Sequence, residues 1–110
     1  MREKYVLTTG KLVRDRIPQI IRTEGAEPEI YAAEPAEYRA RLRAKLAEEV
    51  AEYMGADEAD APEELADVLE VAFARAADLG VDAAQLEKIR AAKAEQRGGF
   101  SDRIVWTGNR

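Results

Sequence analysis

The sequence predicts an all-α protein: a helical bundle of three main helices at about 35–54, 61–79 and 83–97, with a short N-terminal helix and short terminal strands. Three observations carry this. Pro35, Gly55, Pro62, Gly80 and the pair Gly98-Gly99 bracket three stretches of ordinary helix length. Alanine, the best helix former, is abundant in all three. Within each, apolar residues recur at helical spacing.

"RDRIPQIIRTEG", residues 14–25, reads as the short helix, with Pro18 near its start and Gly25 closing it. The first main helix opens at Pro35, and Gly55 is the candidate left-handed residue at its end. Tyr38, Leu42, Leu46, Val50 and Tyr53 form its apolar stripe. The second opens on "DAPE", where Asp60 is a candidate cap and Glu63 its reciprocal partner. Leu65, Leu69, Phe73 and Ala76 make one ridge, which Val68, Ala72 and Leu79 widen, so this helix calls for neighbours on two sides. The third opens at Asp82 with Gln85 as reciprocal cap and ends at Arg97. Leu86, Ile89, Arg90, Lys93 and Arg97 share one side of it, which predicts cations on its inward flank. "EPEIYAA" and "SDRIVWTG" have the β-branched and aromatic content of short strands that pair with each other.

With 110 residues the chain fits one domain. It has no cysteine and no histidine, which removes thiolate chemistry, zinc ribbons and imidazole acid/base work, leaving carboxylates, Lys and Arg. A net charge of −5 disfavours a nucleic-acid polymer as partner. No apolar run is long enough to cross a bilayer and "MREKYVLTTG" lacks the apolar centre of a secretory signal, so the expectation is a cytoplasmic protein with no membrane partner.

Two acidic clusters carry the chemistry: "EEVAE" at 48–52 and "EELAD" at 63–67. Glu49 falls inside the apolar stripe, where an ionised carboxylate is unfavourable unless a cation meets it. Glu52 lies at the stripe's edge beside Lys45, and Glu48 points further toward solvent. Glu64 and Asp67 are three apart and so neighbours on one helix face, though the inward orientation of Asp67 depends on packing. If the two helices run antiparallel, Glu49 and Glu52 meet Glu64 and Asp67. All-oxygen ligands select a hard ion, Mg²⁺ first and Mn²⁺ second, which substrate phosphates usually complete. A plainer origin stays open: acids at a helix start complement its dipole, and so do Lys93 and Arg97 at a helix end.

The order of "KLVRDRIP" at 11–18, "LRAKLAEEVAE" at 42–52, "EELADVLEV" at 63–71 and "KAEQRGGF" at 93–100 resembles the MazG-like all-α nucleoside triphosphate pyrophosphatase superfamily, in a small single-domain branch. That group includes phosphoribosyl-ATP pyrophosphohydrolase. Its signature is Glu-Glu-x-x-Glu, here Glu48, Glu49 and Glu52, followed on the next helix by Glu-x-x-Asp, here Glu64 and Asp67.

The resemblance implies that Glu49, Glu52, Glu64 and Asp67 bind Mg²⁺, with Glu48 a nearby helper and Glu48 and Glu49 the catalytic pair. It implies water attack between the α- and β-phosphates of a nucleotide, releasing a nucleoside monophosphate and pyrophosphate, in the house-cleaning of non-canonical nucleotides. Lys93, Arg97 and Lys45 would hold phosphates, and Lys11 and Arg14 are further candidates whose alternative is an ion pair with Asp15 or an acidic helix. The gap "YMGADEADAPE" is at the short end for the superfamily. Alternatives are phosphoribosyl-ATP hydrolysis in histidine biosynthesis and, in another class, a non-catalytic helical interaction module. Three helices make a thin core for a monomer, which predicts a homodimer or higher homo-oligomer.

Overall fold

A computed structural model describes residues 9–110. Four helices follow one another: α1 (Ile17–Thr23), α2 (Pro35–Gly55), α3 (Ala61–Asp78) and α4 (Ala83–Arg97). Prolines stand in the opening turns of α1, α2 and α3, where a missing N–H costs nothing. The main helices start where the sequence predicts and end within a residue of it.

Their ends are set by local chemistry. Asp82 accepts from the Gln85 N–H at 2.8 Å while the Gln85 side chain accepts from the Asp82 N–H at 2.8 Å, the expected reciprocal box. Gly80 takes φ +81° after α3, so that its N–H donates to the Ala77 carbonyl and the Val81 N–H reaches back to Ala76. Gly25 closes α1 in the same way. Two expectations are corrected. Gly55 is the last helical residue of α2, not a left-handed terminator; the chain leaves through Ala56 in extended conformation. Asp60 makes no side-chain cap, because Asp57 forms the turn first: Asp57 Oδ1 accepts from the Asp60 N–H at 3.0 Å.

α2 and α3 form the principal packed pair, and α4 packs on α3. After the short connection 56–60, α3 folds back along α2, so that Glu49 near the end of α2 meets Glu64 and Asp67 near the start of α3. Among the described residues the buried apolar ones are Ala40, Leu42, Val71 and Ala76. The α2 stripe is inward at Leu42, which is 2% exposed, but Val50 on the same stripe is exposed. On α3 the ridge expected to be core points outward at its start: Leu65 is 49% and Leu69 53% exposed. The face turned to α2 is the neighbouring one, which includes Asp67, Val71 and Ala74.

No strand forms among the described residues. Residues 26–34 instead run along α2, tied to it where the Tyr31 hydroxyl donates to Glu37 Oε2. Residues 103–110 are irregular and project Ile104, Val105 and Trp106 into solvent. β propensity describes fit to a pleated surface, and neither segment has one to join.

Candidate metal and nucleotide site

At one end of the α2–α3 pair, Glu49 of α2 and Glu64 and Asp67 of α3 each place one carboxylate oxygen so that all three lie within 4.8 Å of one another. Glu64, Asp67, Val71 and Ala74 follow the i, i+3, i+7, i+10 spacing of one helical stripe. That stripe meets Tyr38, Leu42, Lys45 and Glu49 from α2, so the shared seam changes along its length from apolar to acidic. This packing settles the orientation of Asp67.

The cluster is electrostatically unfavourable as it stands. Burial first, and then the charges of Asp67, Glu52, Glu49 and Asp60, raise the Glu64 carboxyl above its ordinary pKa. Among the described residues Glu64 has no ion-pair partner. Glu52 is exposed and acts on Glu64 through its charge; its oxygen is not one of the three that converge. Three convergent carboxylates without nitrogen or sulfur donors suit a hard divalent cation.

Cations from this chain border the acids. Lys45 Nζ lies 3.2 Å from both Glu48 Oε2 and Glu49 Oε1. Lys11 Nζ is 3.0 Å from Glu48 Oε1, and Arg14 Nη2 is 2.7 Å from Asp67 Oδ1. The hydrogen bond from Lys11, and after it that from Lys45, holds the Glu48 carboxyl below its usual range; the same contact raises Lys11. Lys93 and Arg97, by contrast, are exposed on α4, a helix that packs on α3 and not on α2. Their expected inward flank faces solvent in the single chain, where Arg90 is taken up by Glu87 at 2.6 Å.

A cleft of about 380 Å³ opens beside the cluster, within the range of small-ligand sites. Glu49, Asp67 and Glu70 supply its acidic wall, Arg14, Arg16 and Lys45 its cations, and Tyr38, Leu42 and Val71 its apolar surface. Tyr38 is an aromatic residue lining this cleft, whereas Phe100 and Trp106 are 97% and 78% exposed.

The segment bearing Lys11 and Arg14 is positioned by a polar hub that sequence reasoning missed. Arg41, nearly buried on α2, donates from Nη1 to the Gly10 carbonyl at 2.7 Å and from Nε to Glu37 Oε2 at 3.0 Å, while Tyr31 donates to the same Glu37 oxygen. The spacing Glu37 to Arg41 was a readable i, i+4 pair. Its burial was not, because that depends on segments 9–16 and 26–34 covering α2.

A family model described as phosphoribosyl-ATP pyrophosphohydrolase matches residues 13–94. The chain belongs to that family. Phosphoribosyl-ATP pyrophosphohydrolases act on phosphoanhydride bonds and sit within the MazG-like all-α nucleoside triphosphate pyrophosphatase superfamily, as the order of motifs implies. The match spans α1, α2, α3 and most of α4, and so takes in every member of the acidic cluster. An uncharacterized protein of Mycolicibacterium smegmatis (strain ATCC 700084 / mc(2)155) is 54% identical over 52 residues, covering 47% of this chain and 53% of that protein. The chain thus spans about half the length of this curated relative. No solved structure matches it.

Proposed function

We propose that the protein is a Mg²⁺-dependent nucleotide pyrophosphohydrolase that cuts between the α- and β-phosphates, giving a nucleoside monophosphate and pyrophosphate from a triphosphate, with removal of non-canonical nucleotides as its role. The observation that carries the reading is the convergence of Glu49, Glu64 and Asp67, of which Glu49 and Asp67 line a cleft that also presents Arg14 and Lys45. Family membership supports the reaction class.

In this reading Glu49, Glu64 and Asp67 hold Mg²⁺, for which Mn²⁺ can substitute, and Glu52 joins them by a change of rotamer. Bound there, the ion neutralises charge on departing pyrophosphate and acidifies a water. Glu48, whose carboxyl Lys11 and Lys45 hold below its usual range, and Glu49 are the candidates to receive the proton. Lys45 orients phosphate from the edge of the cluster, with Lys11 and Arg14 as further contacts. Lys93 and Arg97 reach a phosphate only when assembly brings an α4 to a cleft.

We infer that this assembly is a homodimer. The chain exposes 9664 Å² where a folded monomer of 12.2 kDa exposes about 6,100 Å². Its radius of gyration is 17.7 Å against roughly 13 Å for a compact domain of this length. Leu65 and Leu69 give α3 an apolar face suited to a second copy. A nucleotide substrate implies action in the cytoplasm, and among the described residues no helix is long and apolar enough to cross a membrane.

The deciding variant is Glu49→Gln. It is expected to keep the helical circular dichroism spectrum while turnover falls at least about a hundredfold and Mg²⁺ affinity drops. Unchanged turnover and metal binding would instead mark a non-catalytic helical module. The family's own description favours a second reading, phosphoribosyl-ATP as substrate. Parallel assays of pyrophosphate release from phosphoribosyl-ATP and from ordinary, deoxy and damaged nucleoside triphosphates separate the two.

A further inference from the structure

The cations nearest the cluster differ in how they are held. Lys45 projects from the same helix as its partners Glu48 and Glu49, one turn away, with its side chain 15% exposed. Arg14 is different. It comes from an irregular segment that crosses over the α2–α3 seam, is 55% exposed, and reaches across 53 positions of sequence to Asp67. The backbone behind it is fixed at one end by Arg41 on the Gly10 carbonyl and at the other by the first turn of α1, where the Ile17 N–H donates to the Arg14 carbonyl at 3.0 Å. The strand of chain is therefore anchored while the guanidinium at its middle stays in solvent contact and lines the cleft.

We propose that Arg14 is an exchangeable internal counter-ion: it pairs with Asp67 while the cluster holds no metal, and moves to the nucleotide's phosphates when a divalent cation takes that carboxylate. The inference rests on the metal-site reading given above. Asp67 is one of the three convergent carboxylates, and the Arg14–Asp67 contact occupies the same Asp67 that metal requires. A guanidinium and a divalent ion compete for one carboxylate. A half-exposed ion pair is held only weakly, so the metal can displace it at small cost. Once released, the planar fork of Arg14 stays tethered within the cleft, where phosphate oxygens offer the bidentate acceptor that it suits best. Arg14 thus opposes metal binding in the empty enzyme and favours it once nucleotide is present, which makes metal and substrate binding mutually reinforcing.

The test is Mn²⁺ titration of the full chain, followed by electron paramagnetic resonance, for wild type, Arg14→Gln, Arg14→Lys and Glu49→Gln. Each is measured alone and with a non-hydrolysable α,β-methylene nucleoside triphosphate. Arg14→Gln is expected to bind Mn²⁺ about two- to fivefold more tightly than wild type without nucleotide. It is expected to bind the analogue roughly tenfold more weakly with Mn²⁺ present. Arg14→Lys falls between the two, since it keeps the charge and loses the fork. Loss of a merely structural contact would weaken both binding events. Unchanged or weaker Mn²⁺ binding by Arg14→Gln, with Glu49→Gln abolishing it, overturns the exchange while leaving the metal site standing. No Mn²⁺ binding by wild type overturns both.

Discussion

Glu64 shows what a single residue contributes here. Its carboxyl is raised by burial and by the charges of Asp67, Glu52, Glu49 and Asp60, so the folded chain holds a proton there more readily than the unfolded chain does. Between the ordinary carboxylate range and the raised value the native state binds more protons, and stability from this group falls as pH rises through that window. At neutral pH the ionised Glu64 therefore weakens the metal-free fold. Glu64→Gln is expected to raise the metal-free melting temperature by a few degrees. If the cluster binds Mg²⁺ as proposed, saturating metal at about one hundred times its dissociation constant is expected to stabilise wild type by about 2.7 kcal/mol, a gain expected to disappear in the variant. Differential scanning calorimetry with and without Mg²⁺ reads both effects. A lower metal-free melting temperature in Glu64→Gln would show that the carboxylate is compensated in a way the cluster geometry does not express.

The α3–α4 corner shows how elements are joined. It depends on two local devices, Gly80 at φ +81° and the Asp82–Gln85 box. A Cβ at Gly80 would meet nothing within 4 Å, so the penalty of Gly80→Ala is that of the left-handed backbone alone, about 1 kcal/mol. Asp82→Ala leaves the Gln85 N–H without its acceptor and costs about 1 kcal/mol. Urea denaturation of both variants is expected to lower the midpoint while leaving the slope unchanged. A changed slope would mean that α4 detaches from α3 before the rest unfolds. Neither substitution touches the acidic cluster, so wild-type Mg²⁺ affinity in both is part of the same expectation.

On the scale of the whole molecule, one chain does not cover its own apolar surface. Among the described residues, four buried apolar side chains, two of them alanine, are a slender core, and Leu65 and Leu69 remain half-exposed on the helix that supplies two of the three convergent acids. A homodimer that covers this face would stiffen α3 and with it Glu64 and Asp67. Leu69→Glu places a charge in that interface. Sedimentation at micromolar concentration is expected to show a dimer for wild type and a monomer for the variant, with turnover reduced although every proposed metal ligand is intact. A monomeric wild type at that concentration would refute the dimer.

Much of this molecule was legible in its residues because the controlling physics is local. Proline at helix starts, glycine and reciprocal caps at their ends, and 3.6-residue periodicity act over a few neighbouring positions, so the three main helices fall within a residue of where the sequence puts them. The acids of α2 and α3 were likewise readable as clusters, since spacing alone makes Glu64 and Asp67 neighbours. What tertiary structure decided is which face of α3 turns to α2. The helix is apolar over so wide an arc that periodicity does not single out one orientation, and packing turned the stripe of Asp67, Val71 and Ala74 toward α2 rather than that of Leu65 and Leu69. The same holds for Arg41: its pairing with Glu37 is local, but its burial and its grip on Gly10 exist only because distant segments cross α2. Hydrophobic periodicity fixes where a helix is; long-range contacts, which no short window of sequence contains, fix what its side chains meet.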